Sequence, residues 1–477
     1  MKLQHALQFL NTESSEKYAP HTNRVIMKNK QHYENLIIGF GKAGKTLAAY
    51  LAKHNKQVAL IERSEKMYGG SCINIACIPS KSFIVNAEKG IPYEKAYELK
   101  NELTSFLRKK NFDNVAGLPD ARVITGAASF ISPDEVLVKQ AAGNEEMIIQ
   151  AERIFINTGS EPFIPPIAGI QSSKKVFTSA SLMEESVLLR KLLVIGGGFI
   201  GLEFADMYAK FGAEVTILDH GEIFLPRVDR DIADEIFKVL TGKNINIIMQ
   251  ASVQKIADTP NDNVSIQYKN KDGRLMDLEA SAVLVATGRK ASAENLNLEA
   301  AGIQTDERGF IQVDEFLKTN VPGIWAVGDI NGGPQFTYIS LDDFRIIRDQ
   351  LFGGPYTTIS ERKLVASSVF ITPQLAHIGM REKEALEKGY TVKIAKLPAA
   401  SIPRARILNN TTGFLKTVVD SKSNKILGCT LYCVDANEMS NTIQTAMNAG
   451  LDYQTGRDTM DTHPSMTEAF NDLYSLI

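Results

Sequence analysis

The stretch "ENLIIGFGKAGKTLAAYLAKHNKQVALIE", residues 34–62, has the pattern of one complete unit of strand, turn, helix and strand. The turn carries Gly39, Gly41 and Gly44 in the spacing G-x-G-x-x-G. These glycines permit a tight turn, a close approach of the backbone to a pyrophosphate and close packing of helix on strand. The helix N-terminus then faces the anion, and the carboxylate of Glu62, which ends the second apolar run, can accept hydrogen bonds from a ribose. We therefore predict a dinucleotide site at this turn.

A second stretch repeats this plan. In "KLLVIGGGFIGLEFADMYAKFGAEVTILD", residues 191–219, the turn glycines are Gly196, Gly198 and Gly201, and the run ends at Asp219. A single glycine motif is a weak signal, because glycines also make ordinary tight turns between a strand and a helix. Two copies, each followed at the right distance by an acidic residue, predict two bound dinucleotides.

The length and charge of the chain narrow the function classes. At 477 residues the chain is long enough for about three domains of roughly 150 residues each. Its 53 basic and 55 acidic residues give a net charge of -2, which predicts no nucleic acid partner and no anionic membrane surface. No apolar run approaches the roughly 20 residues of a membrane span. We expect a small molecule and a second copy of the chain as partners.

Cysteine usage predicts a reducing compartment. Four cysteines in a chain of this length are too few for a secreted disulfide scaffold, so we expect the protein in the cytoplasm. The N-terminal stretch has the pattern of neither a signal peptide nor a membrane anchor. It lacks the periodicity of a core before Met27, which could be the true start; the alternative is a short ordered appendage.

Two of the cysteines stand close together in "GGSCINIACIPSK", residues 69–81. Cys72 and Cys77 have the spacing C-x4-C where a loop enters a helix. They can close a disulfide within one turn, and the helix N-terminus stabilises a thiolate. Zinc is the competing interpretation, but a zinc site needs two further ligands, and no CxxC or HxxxH pattern accompanies the pair. We favour a redox-active disulfide and no metal.

Three further apolar strands end in glycine-containing pairs: Thr158-Gly159, Thr287-Gly288 and Gly328-Asp329. An acidic side chain just past a strand, such as Asp329, suits the ribityl chain of a flavin. Together with the glycine turns and the cysteine pair, these motifs resemble the flavin-dependent pyridine nucleotide-disulfide oxidoreductases over nearly everything after residue 33. The resemblance implies an α/β fold class, with two Rossmann-like nucleotide-binding domains for FAD and NAD(P)H and a C-terminal α+β dimerisation domain.

The resemblance also implies a domain order and a set of cofactor contacts. The expected domains are an N-terminal extension (1–32), an FAD-binding domain in two parts (33–158 and 288–360), an NAD(P)-binding domain between them (159–287) and a dimerisation domain (361–477). The implied FAD contacts are Gly39, Gly41, Gly44, Glu62, Lys81, Gly126, Thr158, Gly159, Asp329, Phe336 and Thr337. The implied NAD(P)H contacts are Gly196, Gly198, Gly201, Glu203, Asp219 and Gly288.

Within this family pattern, the two thiols have different roles. The resemblance implies that Cys77 faces the flavin and that Cys72 is the outward thiol that meets the substrate. It places Lys81 at the flavin N5, with Glu203 as its ion-pair partner. Many relatives have Gly where this chain has Ala76, and the extra methyl group bears on how closely Cys77 approaches the flavin.

The C-terminal stretch "THPSMTEAFNDL", residues 462–473, supplies an acid and base. Glu468 follows His463 by five residues, and the resemblance implies that this carboxylate orients the histidine. Histidine titrates near neutrality, so it can move a proton and then pair with the Cys72 thiolate. In relatives this histidine comes from the neighbouring subunit, which implies a homodimer. His377 has no such support, and we expect it in packing or at an interface.

The choice of nicotinamide nucleotide depends on Asp219. A carboxylate at the end of the second motif favours a free ribose 2'-hydroxyl, whereas an arginine there favours a 2'-phosphate. The sequence therefore leans toward NADH. NADPH stays open, because a nearby side chain could still admit it.

A closer resemblance, to one bacterial branch of the family, implies a substrate. "IIGFGKAGKTLA", "MYGGSCINIACIP", "QFTYISLDDFRI", "IPRARILN" and "THPSMTEAFNDLYSL" resemble the bacterial branch associated with reactive chlorine resistance and hypothiocyanous acid reduction. Phe336, Tyr338 and Phe344 in this branch pattern could constrict access to the disulfide, or could simply pack in a helix. Cys429 and Cys433 have the pattern of buried apolar positions rather than the C-terminal cysteine pair usual in mercuric reductases.

The implied reaction has two halves. Hydride passes from the nicotinamide to the flavin, which reduces the Cys72–Cys77 disulfide. Cys72 then attacks the sulfur of hypothiocyanous acid, thiocyanate leaves with His463 managing the proton, and Cys77 restores the disulfide. The alternatives are a cupric or mercuric ion reductase, a disulfide reductase such as dihydrolipoamide dehydrogenase, and, as a non-enzymatic function, a redox-sensing flavoprotein.

Overall fold

The computed structural model of the protein describes residues 29–141 and 145–477. The predicted start at Met27 lies outside them. The first region contains β1 (Asn29–Ile38), α1 (Lys42–Lys53), β2 (Val58–Glu62), α2 (Ser71–Asn74), α3 (Cys77–Glu88), α4 (Tyr93–Ala116), β3 (Ala121–Phe130), β4 (Glu135–Gln140), β5 (Glu146–Ile156) and β6 (Ser160–Pro162).

The first glycine unit forms the predicted strand, helix and strand. Every residue of β2 is buried, as expected for a strand of a parallel sheet that is covered on both faces. Helix α1 buries small and aliphatic side chains at helical spacing, including Ala43, Leu47 and Leu51. Parallel pairing joins β1 to both β2 and β5, and β2 to β3, while β4 pairs antiparallel with β3 and β5.

The second region repeats this architecture. Its elements are β7 (Val176–Phe177), α5 (Ser179–Leu182), β8 (Lys191–Ile195), α6 (Phe199–Lys210), β9 (Glu214–Leu218), α7 (Arg230–Thr241), β10 (Ile245–Ile248), β11 (Ser252–Asp258), β12 (Val264–Lys269), β13 (Leu275–Ala280) and β14 (Ala282–Val285). A parallel sheet has the order β10-β9-β8-β14-β7, and β11, β12 and β13 form an antiparallel sheet beside it.

The chain then returns to the first sheet. Its next elements are β15 (Arg289–Ala291), β16 (Ile324–Ala326) and α8 (Thr337–Phe352). Strand β16 pairs in parallel with β5, and β15 pairs with β6. The first sheet is therefore built from two separate stretches of chain, with the second glycine unit inserted between them. The predicted boundaries near 158 and 288 stay predictions.

The C-terminal region has a mixed architecture. Its elements are β17 (Ser367–Val369), β18 (Gln374–Gly379), α9 (Glu382–Glu387), β19 (Val392–Pro398), α10 (Pro403–Ile407), β20 (Phe414–Asp420), β21 (Ile426–Cys433), α11 (Ala436–Asn448), α12 (Tyr453–Asp458) and α13 (Ala469–Ser475). The strands form an antiparallel sheet of order β17-β18-β21-β20-β19. Cys429 and Cys433 on β21 are buried, which confirms the sequence prediction.

Helix α6 holds the second and C-terminal regions together. Glu203 accepts a hydrogen bond from the backbone N–H of Phe370 at 2.8 Å, and Asp206 accepts one from the N–H of Thr372 at 2.9 Å. Asp206 is almost fully buried and also pairs with Lys243 at 2.7 Å. Buried carboxylates need such partners, because an unpaired one would cost several kcal/mol.

The second glycine turn generates a stability prediction. A Cβ atom added at Gly201 would lie 2.1 Å from the carbonyl oxygen of Gly196, whereas one added at Gly198 would meet nothing within 4 Å. We expect Gly201→Ala to destabilise the protein by about 1–3 kcal/mol, because the helix must move away from the strand. Thermal unfolding measures the effect, and Gly198→Ala is the matched control. Equal melting temperatures for the two variants would contradict the prediction.

Candidate active site

A large cavity of about 1520 Å³ runs from the first glycine turn to the cysteine pair. All of the predicted FAD and catalytic residues except Gly44, His463 and Glu468 line it, and they come from separate parts of the chain. Its walls include the predicted residues Gly39, Gly41, Glu62, Cys72, Cys77, Lys81, Gly126, Thr158, Gly159, Glu203, Asp329, Phe336 and Thr337. The volume exceeds the roughly 300–1,000 Å³ of usual small-molecule pockets, so it has room for an extended dinucleotide.

The two thiols lie at the start of consecutive helices. Cys72 is the second residue of α2, and Cys77 is the first residue of α3. Both thiols are free in this structure, and Cys72 is hydrogen bonded to Cys77. That hydrogen bond, the Lys81 ammonium and the hydroxyl of Thr337, 3.8 Å from Cys77 Sγ, lower the pKa of Cys77 to about 6, against the opposing effect of burial. In the dithiol, Cys77 is therefore the thiolate.

The pKa of Cys72 is shifted in the opposite direction. Its hydrogen bond to Cys77 and its burial raise its pKa well above the ordinary thiol range. Thr337 and the ammonium of Lys45 act in the other direction. Because the two thiols share one proton, Cys72 must lose it to a base before it can attack a substrate.

Lys81 lies one turn beyond Cys77 on α3. Its Nζ is 2.7 Å from Glu203 Oε2 and 4.6 Å from the centre of the Phe370 ring. Glu203 is itself held by the backbone N–H of Phe370. The predicted contact between Lys81 and Glu203 is thus present, and it places a fixed cation beside the thiolate.

The first glycine turn is tied to two other strands. Glu62 Oε2 accepts a hydrogen bond from the N–H of Phe40 at 3.0 Å. Asn157 Oδ1 accepts one from the N–H of Gly44 at 2.9 Å, and its Nδ2 donates to the carbonyl of Val327 at 2.6 Å. Burial raises the pKa of Glu62. These hydrogen bonds hold the turn in place, and Glu62 lines the large cavity.

The remaining predicted flavin residues also fit a polar ligand. Asp329 accepts a hydrogen bond from Ser160 Oγ at 2.7 Å, and Arg289 donates to the same hydroxyl from Nε at 2.8 Å. Thr158 Oγ1 is buried at the cavity wall and has no hydrogen-bond partner within the part of the chain that the structure describes. A bound dinucleotide would supply that partner. Gly126 lies on β3, where a Cβ atom would be 2.6 Å from the Lys139 carbonyl.

The second glycine turn lies outside the large cavity, on the second parallel sheet. Asp219 follows β9, and its two carboxylate oxygens accept hydrogen bonds from the N–H groups of Gly197 at 2.8 Å and Gly221 at 2.7 Å. Gly196 and Gly288 have positive φ angles of 105° and 121°, which favour glycine. The residues predicted for the nicotinamide nucleotide thus lie around the ends of β8, β9 and β14, except Glu203, which lines the large cavity.

The structure separates His463 from the thiols within one chain. His463 is exposed, and its Nδ1 lies 2.8 Å from Glu468 Oε2. Both residues line a small surface pocket beside Ile402 and Pro403, and neither lines the large cavity. A second copy of the chain would have to bring them to Cys72. His377 is buried, with one ring nitrogen 2.8 Å from Thr430 Oγ1 and the other 2.9 Å from the Gly379 carbonyl.

Of the three aromatic residues considered as a constriction, two lie at the cavity. Phe336 and Tyr338 line it, with their rings stacked 5.0 Å apart. Phe344 does not, because the helical period turns it into the core, where it contacts Tyr50. For Phe344 the packing alternative is correct.

Sequence reasoning missed several residues of the site. Arg289, Asn157, Ser160 and Lys45 contribute through hydrogen bonds or charge, yet none belongs to a glycine or cysteine motif. The sequence position of Arg289 could have indicated a site residue, because this cation directly follows the predicted pair Thr287-Gly288. The others depend on contacts between distant segments.

Comparison with known families accounts for this arrangement. The family described as "Pyridine nucleotide-disulphide oxidoreductase" matches residues 33–343, and the dimerisation domain of the same family matches residues 365–474. The chain belongs to the pyridine nucleotide-disulphide oxidoreductases. The predicted fold class and enzyme class are thereby confirmed, and FAD and a nicotinamide nucleotide are the cofactors that this membership implies.

Similarity to individual proteins indicates the type of oxidoreductase within this family. The chain is 47% identical over 445 residues to the "Probable pyridine nucleotide-disulfide oxidoreductase RclA" of Escherichia coli, covering 93% of this chain and 99% of that protein. It is 31% identical to a mercuric reductase of Lysinibacillus sphaericus, covering 93% of this chain and 82% of the relative. The solved Cu(II) complex of the "HOCl-induced flavoprotein disulfide reductase RclA" from Escherichia coli superimposes with a TM-score of 0.90 at 46% identity, covering 94% of this chain and 100% of that one.

This protein is a flavoprotein disulfide oxidoreductase of the RclA type, and its dimerisation domain indicates a homodimer.

Within the described ranges, no helix has the length and apolar character needed to cross a bilayer. No cluster of three or more potential metal ligands occurs among residues 29–141 and 145–477.

The pKa of Cys77 gives a testable pH dependence. The lowered value predicts a thiolate that persists above about pH 6 and is protonated as the pH falls through it. We expect Lys81→Met to raise this midpoint by roughly one unit, because the variant loses a nearby cation. Cβ chemical shifts of selectively labelled cysteine in the dithiol holoenzyme measure it. Lys89→Met, at the exposed far end of the same helix, is the control, and an equal midpoint in both variants would refute the role of Lys81.

Proposed function

We propose that the protein reduces hypothiocyanous acid to thiocyanate at the expense of a reduced nicotinamide nucleotide. The observation that carries this proposal is the unequal thiol pair, an exposed Cys77 with a lowered pKa beside Lys81 and a partly exposed Cys72 with a raised pKa. When bound, FAD supplies the hydride acceptor that passes electrons from the nicotinamide to the disulfide. The similarity to RclA, described as HOCl-induced, supports a small chlorine-derived oxidant as the substrate class.

The thiols then act in sequence. Cys72 loses its proton to a base and attacks the sulfur of hypothiocyanous acid, which forms an S–S bond and breaks the S–O bond. The departing hydroxide takes up a proton and leaves as water. The Cys77 thiolate attacks Cys72 Sγ, which restores the disulfide and releases thiocyanate. The dithiol loses two electrons, and the oxidant gains them.

His463 is the base that we assign to the first step. Glu468 fixes its Nδ1, which leaves Nε2 free to accept the Cys72 proton and to return it to the departing hydroxide. Because His463 lies outside the cavity of its own chain, we assign this role to His463 acting across the dimer. Each active site would then contain residues of both subunits.

We assign the selection of a small substrate to two aromatic residues at the cavity. The stacked rings of Phe336 and Tyr338 lie at the cavity, and the Tyr338 hydroxyl donates a hydrogen bond to the carbonyl of Ala366 at 2.8 Å. This bond holds the tyrosine beside the segment that leads to β17. A narrow approach would admit a small oxidant and hinder a bulky disulfide.

We further propose NADH as the preferred reductant and the cytoplasm as the location. A carboxylate at Asp219 suits a ribose with free hydroxyls and disfavours a 2'-phosphate. Low cysteine content suits a reducing compartment, where reduced nicotinamide nucleotides are present.

Reduction of cupric ion is the second candidate. The related Escherichia coli protein has been solved as a Cu(II) complex, and thiolates are soft ligands that suit copper. Rates of NADH and NADPH oxidation with hypothiocyanous acid, Cu(II), oxidised glutathione and lipoamide distinguish the candidates. Oxidation driven by copper but not by hypothiocyanous acid would replace the first proposal by the second.

The thiol mechanism predicts the behaviour of a cysteine variant. We expect Cys72→Ser to abolish turnover of hypothiocyanous acid while FAD stays bound, since serine is a far weaker nucleophile and forms no disulfide. Steady-state oxidation of NADH and the flavin absorbance of the purified protein measure the two effects. Cys429→Ala, at a buried thiol remote from the cavity, should keep wild-type rates. Substantial turnover in Cys72→Ser would refute the mechanism.

The role of His463 across the dimer predicts complementation. We expect His463→Ala alone to slow turnover by about 10²-fold. Co-expression of Cys72→Ser and His463→Ala chains should restore activity to roughly a quarter of the wild-type value, because half of the dimers then have one site with both native residues. Turnover of the co-expressed mixture measures this value, and the isolated mixed dimer should have about half of the wild-type activity, because one of its two sites is intact. If His463 served its own chain, every site in the mixed dimer would lack one group and no activity would return.

A further inference from the structure

Lys45 follows the third glycine of the first motif, yet its side chain leads away from the glycine turn. It lies one turn inside α1, whose N-terminus is predicted to face the dinucleotide. Its Nζ donates a hydrogen bond of 2.9 Å to the carbonyl oxygen of Gly69, in the loop that precedes the cysteines. The side chain is therefore engaged with the loop that carries the reactive thiol.

That loop has little freedom. Gly69 and Gly70 have positive φ angles of 96° and 80°, and Gly70 is the N-cap of α2. A Cβ atom at Gly70 would lie 2.8 Å from the Cα atom of Gly41. Cys72 is only three residues beyond Gly69, so the hydrogen bond from Lys45 acts close to the thiol.

The charge of Lys45 is coupled to the same thiol. Burial, together with the nearby charge of Lys42, lowers the pKa of Lys45 to about 8, and Cys72 acts in the opposite direction. The groups that change the pKa of Cys72 are Cys77, which raises it together with burial, and Thr337 and Lys45, which lower it; Lys45 is the cation among them. Lys81 is differently placed, because it acts on Cys77 and is paired with Glu203.

We propose that Lys45 is a positioning residue for Cys72. Its ammonium group holds the loop at Gly69 and stabilises the Cys72 thiolate when that thiol attacks an oxidant. Each sulfur would then have its own cation, Lys81 for Cys77 and Lys45 for Cys72. The inference rests on the proposed role of Cys72 as the attacking thiol.

The test measures the reactivity of Cys72 without an oxidant. In Cys77→Ser holoenzyme, Cys72 has no partner for a disulfide, and its alkylation by iodoacetamide is followed by mass spectrometry across a range of pH. We expect Lys45→Met in this background to slow alkylation at neutral pH about tenfold and to move the midpoint up by roughly one unit. Lys45→Arg should retain most of the reactivity, because it keeps the charge.

Two further variants keep the test decisive. Lys53→Met, in the exposed last turn of α1, should leave the alkylation profile close to that of the parent. Lys45→Gln can retain a donor for the Gly69 carbonyl without the charge, so it replaces Lys45→Met if that variant does not fold. An unchanged profile in the uncharged variant would overturn the proposal. Loss of FAD with an unchanged profile would also overturn it, by assigning Lys45 to the dinucleotide.

This result is independent of the physiological substrate. Iodoacetamide reacts with Cys72 whether or not hypothiocyanous acid is the oxidant. If the substrate comparison excludes hypothiocyanous acid while alkylation still depends on Lys45, the proposed function fails and the inference on Lys45 stands.

Discussion

Gly41 in the first glycine turn and Gly70 in the reactive loop meet backbone to backbone, and the rest of the active site depends on that contact. A Cβ atom at Gly70 would lie 2.8 Å from the Cα atom of Gly41, so the reactive loop cannot accept a side chain at Gly70 without moving away from the glycine turn. Because α2 and α3 follow this contact directly, Cys72 and Cys77 are positioned relative to the turn that is predicted to bind the dinucleotide. The same backbone contact therefore positions both the predicted cofactor site and the thiols.

The thiol pair combines this fixed geometry with an uneven distribution of charge. The hydrogen bond between the thiols lowers the pKa of Cys77 and raises that of Cys72, so only one proton is easily lost. The Lys81–Glu203 pair contributes a cation that is itself held by an anion, at 2.7 Å. This arrangement is consistent with the proposed roles, in which Cys77 closes the disulfide and Cys72 needs a base to remove its proton.

Much of the fold followed from local patterns, whereas parts of the site did not. The two glycine units and the cysteine spacing are written in short continuous stretches, and the strands and helices formed as expected. Asn157 and Arg289 act through contacts with segments over a hundred residues away, which no local pattern encodes. Phe344 was uncertain because the sequence alone does not show which face of α8 meets the core. The residue lies on the buried face and contacts Tyr50.

The deep burial of the other two cysteines has a consequence for an enzyme that meets thiol-reactive oxidants. Cys429 and Cys433 lie within the C-terminal core, where burial raises the pKa of Cys433 to about 12 and that of Cys429 still further. A neutral, enclosed thiol resists conversion to sulfenic or sulfinic acid, because the thiolate is the species that reacts. Under the proposed mechanism, oxidation of thiols is thereby directed to Cys72 and Cys77, the pair that each catalytic cycle would reduce again.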